Sequence, residues 1–366
     1  MTILRRVLFI CFLCIMLSGC KKENIIMDTS PGNTISNSYI LSAEKKYNEG
    51  NYYSALNDYL KVEDTYSTLN NSDNNELLHL YNKMGRCYIQ LLDYSNANDC
   101  FEKSLLISEK LSDERMSFDN YIYLMEINYS AENANLEVAL EYGRKAEKLA
   151  IDLYGNQSAE IGEVYGDLGN VYIGMAEYDI AEDYMQKSLN IMKQLYGENN
   201  DEIGVIYKDL ADMYESQEQY LESIEYLEKA EEIFKINNNV YWLTVVYGKL
   251  GNINYDKKDY STALAFYNKS LDLCNRGGKI DYDLAKYHYG KAGALYNLKD
   301  YEEGKKELVI AHSICEKLPI KSEFTELLIN RVKEDLEIYY EHNYKGDKSM
   351  GFEAWYKELI STQAVQ

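Results

Sequence analysis

Proline is nearly missing from this chain, with only Pro31 and Pro319 in 366 residues. A proline ring breaks the interior of a helix, so its scarcity favours a mostly helical protein. Histidine is scarce as well. His79, His288, His312 and His342 are the whole set, and none stands at metal-ligand spacing. After the first twenty residues no apolar run is long enough to cross a bilayer. Positive charge is outweighed, leaving a formal net charge of −22. Such a surface repels phosphates, which excludes nucleic acid as a partner. No Gly-x-Ser-x-Gly elbow occurs, and Arg276-Gly277-Gly278-Lys279 lacks the upstream glycine of a phosphate loop. The many acidic residues are expected on solvated helix faces with ordinary acidity. Nothing here supports an enzyme, a cofactor or a metal site.

What is present begins at the N-terminus. Arg5 and Arg6 precede an uninterrupted apolar run from Val7 to Leu17, followed by Leu17-Ser18-Gly19-Cys20. A run this short suits the apolar part of a signal peptide better than a membrane-spanning helix. The tetrad resembles the bacterial lipobox, in which small residues fit the peptidase cleft and the cysteine thiol accepts lipid. The resemblance implies removal of residues 1–19, lipid on Cys20, membrane attachment through that lipid, and residence at the bacterial cell envelope. Residues 20–35 are polar, contain Pro31-Gly32, and read as a flexible tether. Of the seven cysteines, Cys11 and Cys14 leave with the signal and Cys20 is the lipid site. The other four, Cys87, Cys100, Cys274 and Cys315, form no CxxC pair. Buried free thiols are expected, although Cys87 and Cys100 could pair in an oxidising compartment.

The rest of the chain is periodic. Tyrosine recurs at Tyr39, Tyr81, Tyr123, Tyr165 and Tyr207 in steps of 42, then at Tyr247, and His288 takes the next place. His288 is therefore expected to pack. Four residues further on stand Ala43, Gly85, Ile127, Gly169, Ala211, Gly251 and Ala292. An aromatic residue and then a small residue follow, as in Tyr52 with Ala55, Tyr94 with Ala97, Tyr178 with Ala181 and Tyr260 with Ala263. Small residues are needed where two helices cross, because a larger side chain would push the backbones apart. The tyrosines suit the gaps between neighbouring repeats, each with an apolar body and a polar tip.

These positions resemble the tetratricopeptide repeat, a helix, a short turn and a second antiparallel helix. The resemblance covers roughly residues 36–320. It implies an all-α, right-handed superhelical solenoid of about seven such units, with residues 321–366 as a degenerate repeat and capping helices. Glu323 to His342 reads as one long helix, and Phe352 to Tyr356 as part of a short final one. The period exceeds the family's usual 34 residues by about two helical turns. Long copies that end in Leu153-Tyr154-Gly155 and Leu195-Tyr196-Gly197 resemble the kinesin-light-chain style of array. Glycine there suits the left-handed backbone that closes a helix.

In this family the binding surface is the concave groove lined by the first helix of each repeat. The ninth position carries Glu44, Arg86, Asn128, Asn170, Asp212, Asn252 and Gly293. The twelfth carries Tyr47, Ile89, Ala131, Ile173, Glu215, Tyr255 and Tyr296. The groove expected from the resemblance is thus built by Arg86, Ile89, Asn128, Asn170, Ile173, Asp212, Asn252, Tyr255 and Tyr296. Amides offer a donor and an acceptor to the main chain of an extended peptide, and the aromatics grip its side chains. The carboxylate clamp of co-chaperone relatives is absent, since the repeat holding Lys208 also has Asp212. The expected function is a membrane-tethered scaffold that binds a protein or peptide. The rivals are a peptide-sensing regulator and a glycan-binding surface lipoprotein. Trp242 and Trp355 are the only tryptophans, and neither falls on the expected groove.

Overall fold

The structure is a computed structural model, and it describes residues 31–68, 74–130, 134–277, 282–346 and 348–363. Among these residues all regular structure is helical. The signal peptide, Cys20, the tether up to residue 30, and Ala131 lie outside the described residues. None of the described helices is long and apolar enough to cross a membrane.

The chain forms two compact units, one ending at Glu177 and one beginning at Tyr178. The first holds α1 (Pro31–Asn48), α2 (Tyr52–Thr68), α3 (Asn74–Gln90), α4 (Tyr94–Leu111), α5 (Glu114–Ser130), α6 (Leu136–Tyr154) and α7 (Ala159–Gly174). The second holds α8 (Tyr178–Tyr196), α9 (Asp201–Ser216), α10 (Tyr220–Ile236), α11 (Val240–Asp256) and α12 (Tyr260–Gly277). It continues with α13 (Tyr282–Asn297), α14 (Tyr301–Lys317), α15 (Glu323–His342) and α16 (Gly351–Gln363). Helix α1 takes in Pro31-Gly32, which the sequence had suggested for the tether. Proline is tolerated in a first turn because its missing N–H would have no helical partner there.

Within each unit every helix packs on the next in antiparallel pairs, and each pair packs on its neighbour. The crossings are where the sequence pattern placed them. Gly85 of α3 lies against Phe101 of α4, and a Cβ there would stand 2.7 Å from the ring. Gly251 of α11 meets Tyr267 of α12 in the same way, also at 2.7 Å. Ala55, Ala97, Ala139, Ala181 and Ala263 are fully buried. Three serines at these small-residue positions donate to a carbonyl. Ser104 donates to Leu78 at 3.2 Å, Ser223 to Ala211 at 2.8 Å and Ser270 to Thr244 at 2.9 Å. A buried hydroxyl left unpaired would be costly, so these bonds make serine acceptable in the crossing.

Side-chain caps fix where several helices begin. Asp93, Asn135, Ser158, Asn200, Asn239, Asp300 and Ser322 each accept a hydrogen bond from a backbone N–H of the first turn. The turn inside a repeat uses one left-handed residue at one fixed position. It is Gly50 in the first repeat, then Leu92, Ala176, Glu218, Lys258 and Lys299, with φ between 59° and 76°. Five of these six are not glycine, which the sequence pattern had not signalled. Gly155 and Gly197, expected at helix ends, do have positive φ, at 88° and 79°.

Four tyrosines of the period carry lysines. Lys61 lies over Tyr39 at 4.9 Å, Lys103 over Tyr81 at 5.1 Å, Lys229 over Tyr207 at 5.8 Å and Lys269 over Tyr247 at 5.2 Å. Each lysine stands on the second helix of the tyrosine's own repeat, so the pair ties the two helices together on their outer edge. His288, at the tyrosine position of its repeat, does more than pack. Its Nδ1 meets the buried carboxylate of Glu307 at 2.5 Å, and Lys291 reaches the same carboxylate at 2.7 Å.

At the C-terminal end α16 lays Phe352 and Trp355 on Tyr340 and Tyr344, and Trp355 also stacks on Tyr339. The Tyr356 hydroxyl meets Nε2 of His312 on α14 at 2.8 Å. Burial holds the His312 pKa below the ordinary histidine value, with Glu316 opposing and Lys321 reinforcing the shift.

Three outcomes are expected from this packing. Gly85→Ala forces a methyl into the Phe101 ring, which is itself stacked on Tyr123 at 4.5 Å, and should lower unfolding stability by about 1–3 kcal/mol in urea titration. Glu218→Gly relieves an exposed left-handed backbone and should raise stability by about 0.5–1 kcal/mol in the same assay. His312 is held neutral in the folded state, whereas a released helix α16 would let it protonate at its ordinary value of about 6.5. Docking of α16 should therefore weaken as pH falls through about 6.5, read by Trp355 fluorescence, and His312→Gln should flatten that pH response.

Candidate functional site

The first helices of successive repeats lie beside one another within each unit. In the first unit α5 contacts α7, and in the second α9, α11, α13 and α15 form a continuous series. The residues expected to line a groove project from these helices, but tertiary contacts engage several of them.

In the first unit Glu44 forms an ion pair with Lys83. The Arg86 guanidinium lies over the Tyr47 ring, 5.2 Å from its centroid. Ile89, expected to line the groove, is instead 1% exposed in a core cluster with Phe101, Leu105, Tyr123 and Ile127. The twelfth position points inward there, because α4 and α5 close over it. Asn128 is half-buried, and its amide is partly used internally. It donates to the Leu124 carbonyl at 2.8 Å and to Asn98 Oδ1 at 3.3 Å. Asn170 and Ile173 are half-buried on α7.

In the second unit Asp212 is not a free acid. It accepts from Lys208 at 2.9 Å and is also paired with Lys249. Lys208 further contacts Asp209 at 2.5 Å, and Lys249 lies 3.8 Å from Glu215. Lys208 is 3% exposed and Asp209 fully buried. Burial pushes the Asp212 carboxyl up, but the charges of Lys208 and Lys249 outweigh it and hold it below its ordinary value. Glu215 stays above its ordinary value, because burial there exceeds the help from Lys249. The expectation that the acids are merely solvated thus fails at this cluster. It also fails at Asp58, where Ser42 donates at 2.7 Å and Lys46 at 2.5 Å, and at Glu307. An ion buried beside its counter-ion is stable only when the remaining lone pairs are also met, and breaking such a pair is costly.

Beyond this cluster the surface becomes aromatic. Asn252 is exposed and accepts from the Tyr267 hydroxyl at 2.8 Å. Tyr255 is half-buried, its hydroxyl accepts from Asn297 at 3.1 Å, and its ring rests beside Gly293. Tyr296 is half-buried near Tyr301 and Tyr339, with its hydroxyl enclosed and without a hydrogen bond. Tyr289 donates to Asp335 on α15. The structure therefore gathers Asn252, Tyr255 and Tyr296 with three residues that sequence reasoning missed: Lys249, Asn297 and Asp335. Lys249 escaped because it stands at the sixth repeat position. Asp335 escaped because α15 no longer follows the repeat.

None of the four cysteines within the described residues is in a disulfide, and Cys87, Cys100 and Cys315 are buried. Burial pushes the thiols of Cys87 and Cys100 up to about 12 and that of Cys315 to about 11. They stay protonated and unreactive at neutral pH.

Two family models described as tetratricopeptide repeat match the chain, one over residues 129–194 and 160–236, the other over 78–111 and 245–276. Comparison with curated proteins finds no match. Among solved structures, the apo form of RapI is similar at 13% identity and TM-score 0.57, covering 77% of this chain and 99% of that one. A Rap protein complexed with Competence and Sporulation Factor is similar at 16% identity and TM-score 0.57, covering 81% and 79%. NprR in complex with its cognate peptide NprX is similar at 17% identity and TM-score 0.54, covering 89% of each chain. Helix pairing, the small-residue crossings and these likenesses in fold agree: the described chain is all-helical and carries tetratricopeptide repeats over residues 78–111, 129–236 and 245–276.

Proposed function

We propose that this protein is a lipid-anchored scaffold of the bacterial envelope that binds an extended peptide, or such a segment of a partner protein, on the first-helix face of its repeats. The observation that carries the reading is the α9–α11–α13–α15 face. Asn252 is exposed there, and Tyr255 and Tyr296 are half-buried beside it, so the surface offers amide and aromatic groups that core packing does not use up. An extended peptide needs main-chain partners and apolar grips, and this face supplies both. NprR with its cognate peptide, and a Rap protein with Competence and Sporulation Factor, share the fold and are named as peptide or factor complexes, which supports the same use here. Those two likenesses also favour a second reading, a regulator that senses a peptide. The tether rests on Arg5, Arg6, the apolar run and Leu17-Ser18-Gly19-Cys20.

The test is mild cross-linking in native membranes, with identification of what copurifies with wild type and with Asn252→Asp, which keeps the acceptor for the Tyr267 hydroxyl and loses the amide donor. Loss of that one donor should reduce partner recovery about fivefold while the thermal midpoint stays near wild type. Cys20→Ala should move the protein out of the membrane fraction. Equal recovery of partners by both forms would remove this face from the function.

A further inference from the structure

The tyrosines at the twelfth repeat position differ in what covers them. In the first unit the chain supplies its own cation, since Arg86, at the ninth position of the second repeat, lies over Tyr47. In the second unit the matching ring is Tyr255, and Gly293 stands where Arg86 stands. A Cβ at 293 would be 3.2 Å from Cε2 of Tyr255, so a side chain at this position would begin beside that ring. With glycine there, none does. Among the described residues no lysine or arginine lies over Tyr255 or Tyr296, although the nearby Tyr247, Tyr282 and Tyr339 each carry a lysine.

Acid gathers at the same place. Asp335 accepts from Tyr289, and its charge acts on Tyr255, Tyr289 and Tyr296 together. Asp256 follows Tyr255 at the end of α11 and acts on the same ring. The cations nearby are engaged or insufficient. Lys305 is held by Glu302 at 2.7 Å and lies over Tyr339. Arg331 acts on Asp335, yet burial outweighs it and leaves that carboxyl above its ordinary value. Electron-rich ring faces beside a carboxylate attract a cation. A guanidinium suits them best, because its plane stacks on a ring while its edge makes paired hydrogen bonds to a carboxylate.

We infer that the Tyr255 and Tyr296 face of α11 and α13, together with Asp335 of α15, binds an arginine side chain of the partner, which takes at Tyr255 the place that Arg86 fills at Tyr47. The inference rests on the peptide-binding reading above and specifies one side chain of the ligand. Gly293 keeps the position open, the two rings provide the stacking surface, and Asp335 provides the charge.

The experiment is calorimetric titration of the full chain with acetyl-Gly-Arg-Gly-amide, with the citrulline tripeptide as neutral isostere and the lysine tripeptide as a point charge. The arginine peptide should bind about tenfold more tightly than the citrulline peptide, and more tightly than the lysine peptide. Asp335→Asn should reduce arginine affinity about tenfold with an unchanged thermal midpoint, and Gly293→Arg should abolish it by supplying the guanidinium internally. If Gly293→Arg does not fold, Asp335→Asn decides. Equal binding of arginine and citrulline peptides, or full affinity in Asp335→Asn, overturns the proposal, and a lysine peptide as tight as arginine overturns the choice of arginine. Partners still captured in membranes without tripeptide binding would sink this subsite alone. Tripeptide binding with no captured partner would sink the scaffold reading and leave the subsite standing.

Discussion

The separation between paired helices is set where a residue with little or no side chain meets an aromatic ring. Gly85 against Phe101 and Gly251 against Tyr267 are the clearest cases, and buried alanines continue the contact along the second helices. If the crossing opened, the aromatic ring would lose its contacts, and the tyrosines between neighbouring repeats would lose theirs. The lysines over Tyr39, Tyr81, Tyr207 and Tyr247 then close the outer edge of each pair. Positioning of the first helices, and so of any binding face, follows from this one constraint.

A chain this acidic also has to manage its carboxylates. Several are drawn inside and paired, with Asp58 between Ser42 and Lys46, Asp212 between Lys208 and Lys249, and Glu307 between His288 and Lys291. Such pairs add little net stability compared with apolar packing, but they fix the relative placement of the elements they join. Lys249 reaches from α11 to Asp212 on α9, and so sets neighbouring repeats against each other. Asp335 is different. Burial outweighs its hydrogen bond from Tyr289 and the charge of Arg331, and holds its carboxyl above the ordinary value.

The fold was largely legible in the sequence because its signals are local and repeated. The 42-residue tyrosine step, the small residue four places later and the absence of proline each constrain one helix or one crossing, and seven copies reinforce one another. Helix α15 was legible from Glu323 to His342 for the same reason. The left-handed turn residue was not, because Leu92, Ala176, Glu218, Lys258 and Lys299 occupy it without being glycine, and the paired helices impose the conformation. The candidate face was half legible. Asn252, Tyr255 and Tyr296 fall where the repeat register put them, whereas Ile89 sinks into the core and Asp212 is taken by lysines.

By itself the sequence determined the repeat, the helical class, the helix ends marked by Gly155 and Gly197, and which side chains are small at the crossings. Those properties depend on residues within one or two helices, where spacing along the chain fixes spacing in space. Only the tertiary structure decided which charges meet, that Asn128 spends its amide on Leu124 and Asn98, and that Asp335 accepts from Tyr289. Those contacts join helices distant in sequence, and a shift of one residue in either helix would replace the partner. No periodicity records such a pairing, because it is made once and by packing.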